Sequence, residues 1–258
     1  MIKINMNFLK TRSFVSSYFI MVCIILVSIP TLADIVTHPD KETLEKILAD
    51  FEAYAEQGRK DWGIPGMAIS LVQGDEMIYA KGFGVKKVAE NDPVDEHTIF
   101  QIGSTSKAFT AALVAMMVDE GKIGWKDKVI DYLPDFRMYD PWVTREFLIG
   151  DIMAQHSGMP GYASDLLSFI GYDRKYIIHS IRYIQPISSF RSEFAYMNNL
   201  FLVAAALIEK VSDKTWEENL QERIFDPLGM TGTNCTQDGF VKASNVAHLH
   251  QNKNGQAS

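Results

Sequence analysis

From residue 40 onward the chain switches between apolar patterns of two periods. Leu44, Ile47, Leu48, Phe51 and Ala55 recur every three or four residues, which predicts a packing helix with Asp40 as its cap and Gly58 near its end. After Gly63-Ile64-Pro65-Gly66 come two apolar runs, 67–73 and 77–85, joined by the short turn Gly74-Asp75-Glu76. They read as a β-hairpin, with the glycines at 82 and 84 allowing a bend or close packing. Asn91-Asp92-Pro93 opens a loop. Helical spacing returns with Phe109, Leu113, Met116 and Met117 and stops at Gly121, predicting a core helix that starts at Ser104, its methionines filling the core. Between Trp125 and Pro160 the residues Pro134, Pro141, Gly158 and Pro160 break every regular pattern, so helices and loops without a strand are expected. The run Leu200 to Ile208, followed by Glu209-Lys210, predicts a buried helix capped by Asn198 or Asn199.

Residues 1–33 have a different pattern. Lys3, Lys10 and Arg12 precede an apolar run from Phe14 to Ile29, and Pro30-Thr31-Leu32-Ala33 offers small residues for cleavage. This is the layout of an export signal, which makes the expected location periplasmic or secreted. The alternative is an uncleaved anchor formed by residues 14–29, a run slightly short of the roughly 17 residues that a spanning helix needs. Membrane contact is expected only through that segment. Cys23 lacks the small residues that precede a lipidated cysteine. Cleavage would leave Cys235 as the only thiol and rule out an intrachain disulfide. Residues 34–258 are then one partial domain, with a helix and hairpin over 34–100 and a mainly helical region over 101–258.

With 47% apolar residues the chain can fill a sizeable core. Its net charge of −7, with lysines scattered among acids, gives no basic stripe to track phosphates, so nucleic acid is not an expected partner. His248 and His250 spell His-x-His without a supporting cluster of ligands, and no metal is expected there. No glycine-rich phosphate loop and no internal repeat occurs, and no cofactor is implied.

Two short motifs carry the candidate chemistry. Ser104-Thr105-Ser106-Lys107 places a hydroxyl and an amine one helical turn apart, surrounded by the free N–H groups of the first turn. A serine becomes a nucleophile when a neighbouring base takes its proton, and a lysine serves as that base when burial or nearby positive charge lowers its pKa. In Tyr196-Met197-Asn198 the phenol sits on the turn entering the apolar helix. Beside an ammonium it can shuttle a proton, while the amide two residues on can orient a substrate.

The order of these motifs resembles the serine β-lactamase and penicillin-binding-protein superfamily, closest to its class C β-lactamase-like branch. The resemblance spans residue 62 to about 235. It also includes Ile64-Pro65-Gly66, Gly82-Phe83-Gly84, Thr98 to Gly103, Glu120-Gly121-Lys122-Ile123, Tyr132-Leu133-Pro134, Ser157-Gly158-Met159-Pro160 and Phe225 to Met230. It implies an α+β fold of the β-lactamase/transpeptidase type, a helical region packed on an antiparallel sheet with the site in the cleft between them. By resemblance Ser104 is the acylated nucleophile, Lys107 helps to deprotonate it, Tyr196 passes protons to the leaving group and the deacylating water, and Asn198 hydrogen-bonds the substrate. The backbone N–H of Ser104 would form half of an oxyanion hole. The implied partner is a small-molecule or peptide substrate.

Two departures from the family pattern stand out. Gln155 occupies the place where the family often has a structural histidine, and His156 falls one position later. The third motif, a Lys- or His-x-Gly triplet on a strand walling the cleft, is expected to be absent: His156-Ser157-Gly158 has the spelling but precedes Tyr196. The chain also ends before this family would usually finish, so the final strands and C-terminal helix are expected to be missing. Two functional classes follow. One is a serine hydrolase acting through acyl-Ser104 on a β-lactam, a D-amino-acid peptide or an ester. The other is a non-catalytic or vestigial penicillin-binding or sensor-like protein.

Overall fold

In the computed structural model, which describes residues 39–253 and 256–257, the first predicted helix forms as α1 (Lys41–Asp61). The expectations for residues 1–33, the export signal, the anchor and Cys23, lie outside the described residues. Among those described, no helix is long and apolar enough to cross a membrane. Asp40 caps α1 by accepting from the N–H of Thr43 at 2.8 Å, an arrangement that typically contributes about 1 kcal/mol. Leu44, Leu48 and Phe51 are half-buried and Ala55 is buried, while Ile47 is 51% exposed. Gly58 lies near its end, as expected, and its carbonyl accepts from the N–H of Trp62 beyond Asp61. This helix belongs to a unit that ends at Trp62, and a second unit runs from Gly63 onward.

The second unit opens with the predicted hairpin, β1 (Gly66–Gln73) against antiparallel β2 (Glu76–Gly84). Gly66 faces Gly84, Gln73 faces Glu76, and a bulge between Leu71 and Val72 shifts the register. Gly82 is required by close approach, because a Cβ there would lie 2.2 Å from the carbonyl oxygen of Val94. That contact seats the loop leading to the serine. A polar cluster then ties the loop to the far end of the chain: Asn245 donates to Asp95 at 2.8 Å and accepts from the Thr98 hydroxyl at 3.0 Å, while its carbonyl accepts from the N–H of Ile99 at 2.8 Å. These hydrogen bonds, with Asn245 foremost, hold the Asp95 carboxyl below the usual range.

The core forms around α2 (Ser106–Asp119) and α7 (Asn198–Ser212). Between them in sequence lie four short helices: α3 (Val129–Tyr132), α4 (Pro141–Glu146), α5 (Ile149–Ala154) and α6 (Arg174–Ser180). After α7 come α8 (Trp216–Leu220), a π-helical turn Gln221–Phe225 and α9 (Gln237–Lys242). Helix α7 is packed on several sides, touching α2, α3, α5, α6 and α8. This explains its nearly continuous apolar sequence. Leu200, Val203, Leu207 and Ile208 of α7 are fully buried with Leu113 and Met117 of α2 and Ile149 and Ile152 of α5. Each such aliphatic side chain contributes roughly 1.5–3 kcal/mol of burial. Between Trp125 and Pro160 the described residues form helices and loops with only an isolated bridge, Lys128 to Leu148. A two-residue ladder of β3 (Asn252–Lys253) with β4 (Gln256–Ala257) completes an α+β fold.

Candidate active site

The predicted start of the serine helix is displaced by two residues. Gly103–Thr105 form a 3-10 turn and α2 begins at Ser106, because the chain enters through Gly103 at φ 52°, a left-handed conformation that suits glycine. The tighter turn still stacks residues 104 and 107. Lys107 Nζ donates to Ser104 Oγ at 3.1 Å. Ser104 is exposed, and among the described residues no protein acceptor takes its backbone N–H, which leaves that donor available to a developing oxyanion.

The second motif arrives beside the first from 91 residues away. Lys107 Nζ also donates to Asn198 Oδ1 at 2.5 Å and lies 4.7 Å from the ring centre of Tyr196 and 5.4 Å from that of Phe201. The ammonium thus faces one amide oxygen and two aromatic faces, each attracting positive charge. Lys107, then the Ser104 hydroxyl, hold the Tyr196 phenol below the usual range, while burial and, less than burial, the negative charge of Asp165 act in the other direction. All four predicted residues meet in one cluster.

Neither asparagine caps α7. The cap position is Met197, whose side chain makes no capping bond, because the amides are engaged elsewhere. Asn198 Nδ2 donates to Asp165 Oδ2 at 2.6 Å, and Asn199 Nδ2 donates to the carbonyl of Ala163 at 2.8 Å. Asn198 is therefore a link between Lys107 and Asp165, with one remaining amide N–H to offer a substrate.

Gln155 performs a positional task that its sequence did not reveal. It ends α5 in the left-handed conformation at φ 55°, and it holds the residues on both sides of Tyr196. The N–H of Ala195 donates to its backbone carbonyl at 3.1 Å and the N–H of Met197 donates to its Oε1 at 2.5 Å. A side-chain acceptor is what the buried Met197 N–H requires, and a glutamine supplies it. On the other side, the N–H of Tyr162 donates to the Tyr196 carbonyl at 2.8 Å and the two rings lie 5.3 Å apart. Arg191 braces the approach by a two-point contact with buried Asp151, at 2.8 and 2.7 Å.

Sequence reasoning missed Asp165 altogether. It lies on a 3-10 turn (Asp165–Leu167) reached through Tyr162 and Ser164, both in the left-handed region. Its Oδ2 is taken by Asn198, while Oδ1 is buried without a hydrogen-bond partner. A lone acid between a serine and two leucines gave no signal of this role.

The third-motif expectation needs correcting. One triplet of that spelling does follow Tyr196, Lys253-Asn254-Gly255. Lys253 lies on β3 opposite Gln256, and residues 254 and 255 are outside the described residues. His156-Ser157-Gly158 lies in a loop, as expected. His250 accepts from the N–H of Val88 at 3.0 Å, and no group of three potential metal ligands occurs among the described residues.

Known proteins resemble this chain in sequence and in fold. The chain is 35% identical over 195 residues to unguisins hydrolase ungD′ of Aspergillus campestris, covering 71% of this chain and 36% of that protein. It is 26% identical over 179 residues to penicillin-binding protein 4 of Amycolatopsis lactamdurans, covering 67% of this chain and 45% of the relative. Its fold matches the octameric penicillin-binding protein homologue from Pyrococcus abyssi with a TM-score of 0.71 at 25% identity, over 82% of this chain and 50% of that one. The chain thus spans half or less of the length of these proteins. The family model named Beta-lactamase matches residues 51–257, and the chain belongs to that family.

Proposed function

We propose that this chain is a serine hydrolase that works through an acyl-Ser104 intermediate on an amide or ester of β-lactam, D-amino-acid peptide or simple ester type. The observation that carries the proposal is the contact of 3.1 Å between Lys107 Nζ and Ser104 Oγ, made beside a tyrosine whose pKa is depressed by those same two groups. Relatives named as a hydrolase and as a penicillin-binding protein support it.

The chemistry follows from the contacts. Ser104 Oγ attacks the acyl carbon while its proton passes into the pair formed by Lys107 and Tyr196. Negative charge collects on the carbonyl oxygen, where the Ser104 N–H can donate to it. The bond to the leaving group breaks, its electron pair departs with that group, and Tyr196 returns the proton to it. Water then attacks the ester by the same route in reverse, and Asn198 holds Lys107 in place throughout.

Treating the full chain with a fluorescent penicillin or a fluorophosphonate and mapping the adduct by mass spectrometry tests the assignment. The expected adduct is on Ser104. An adduct on Ser106, or undiminished labelling of Ser104→Ala, would overturn it. Turnover of a chromogenic cephalosporin or a nitrophenyl ester supports the hydrolase. Labelling without turnover supports the second reading, a penicillin-binding or sensor-like protein that uses the same serine.

A further inference from the structure

A cavity of about 800 Å³ opens between α6, α7 and residues 132–137, and none of Ser104, Lys107, Tyr196 or Asn198 lines it. Its size is that of a small-molecule site. The wall is apolar, formed by Leu133, Phe136, Ile178, Leu202 and Ala206. The rim is cationic, with Arg137, Lys175, Arg182 and Lys210.

The charges on this rim are not neutralised from within. Arg137 donates to the carbonyls of Pro134 and Phe136 at 2.5 and 2.7 Å, and Arg182 to those of His179 and Asp135 at 3.0 and 2.9 Å. Neutral carbonyls thus fix both guanidinium groups while leaving their charge in place. Among the described residues, neither Lys175 nor Lys210 forms an ion pair. Of the two acids that line the cavity, Glu209 pairs with Arg174 at 3.4 Å, which leaves Asp135 as the other acid in a lining that also holds Arg137, Lys175, Arg182 and Lys210. This excess of positive charge occurs on a chain whose net charge is −7. A concave apolar wall beneath such a rim concentrates field on a bound anion.

We propose that this cavity binds a small amphipathic organic anion, an acyl chain ending in a carboxylate, with the chain against α6 and α7 and the carboxylate among Arg137, Lys175, Arg182 and Lys210. Arginine suits the head group because its planar fork matches a carboxylate, and the exposed lysines add unspecific attraction. The proposal is independent of the chemistry at Ser104.

The test is titration calorimetry of the full chain with dodecanoate, kept below micelle formation, and with dodecyltrimethylammonium as its cationic counterpart. Dodecanoate should bind saturably at one site and weaken as salt is raised, while the cation should bind at least about tenfold more weakly. The double variant Lys175→Glu with Lys210→Glu changes only exposed charge and should lose about tenfold in affinity with unchanged circular dichroism. Ala206→Phe should block the cavity while keeping the rim. Equal binding of the cation, non-saturating uptake, or full affinity in both variants would overturn the proposal.

Discussion

Two sides of the site bring polar groups to Ser104, and they are built in opposite ways. Residues 102–107 form a local device in which one 3-10 turn running into α2 places Lys107 over Ser104, so the contact of 3.1 Å follows from helical geometry. Residues 155–165 and 195–199 form a long-range one. Gln155, Tyr162 and Ser164 all take left-handed conformations, each costing of order 1–2 kcal/mol, and the surrounding hydrogen bonds hold them there. The nucleophile is therefore set by few residues, whereas the tyrosine and asparagine are set by many. Loss of a reacting group on either side should be chemical, whereas loss of the hydrogen bonds that place the second side should appear in both stability and rate.

The largest effects belong to the contact itself. Lys107→Ala and Tyr196→Phe should each slow acylation of Ser104 by about a hundredfold or more, the scale of positioned acid–base catalysis. Melting temperatures should barely change, since both side chains are only partly buried. Stopped labelling assays with the fluorophosphonate measure this. Near-normal rates in either variant would show that proton transfer does not run through the pair.

A remote break should cost less and show itself differently. Gln155→Ala removes the acceptor of the Met197 N–H and leaves a buried donor unpaired, which costs about 1–3 kcal/mol. The expected result is a lower unfolding midpoint in urea together with slower labelling, because Tyr196 is displaced. The matching change on the local side is Gly103→Ala. Its new methyl meets nothing within 4 Å, so only the φ of 52° is penalised, by about 1 kcal/mol. If Gly103→Ala were the more damaging to stability, the contrast between the two sides would be wrong.

What the sequence made legible follows the same division. The hairpin, α2 and α7 were visible because their apolar periods reflect packing that each segment carries in its own residues, and Ser-x-x-Lys is a contact between neighbours in sequence. The cap of α7 was misplaced because Asn198 and Asn199 have the right chemistry but spend it on Lys107, Asp165 and Ala163. Gln155 stood out only as a departure from the family, since its partner Met197 is 42 residues away. Asp165 left no trace at all. Its meaning depends on a turn through two non-glycine residues at positive φ, which no local propensity predicts.

Asp165 offers the finest test of the long-range side. The isosteric change Asp165→Asn keeps an acceptor for Asn198 Nδ2 but removes the negative charge. The groups facing the Tyr196 phenol are the Lys107 ammonium and the Ser104 hydroxyl, which lower its pKa, and the Asp165 carboxylate, which raises it. Without that carboxylate the phenolate should form more easily, so the Tyr196 pKa should fall further. A step that uses the phenolate as base is active above this pKa and lost as pH falls through it. The acid limb of the labelling rate should accordingly move to lower pH, by less than about one unit, while the plateau stays near that of the parent. Asp165→Ala, which also frees Asn198, should lower the plateau as well. A limb that moves to higher pH in Asp165→Asn, or does not move, would mean that Asp165 serves only to hold the amide and that its charge is not felt at Tyr196.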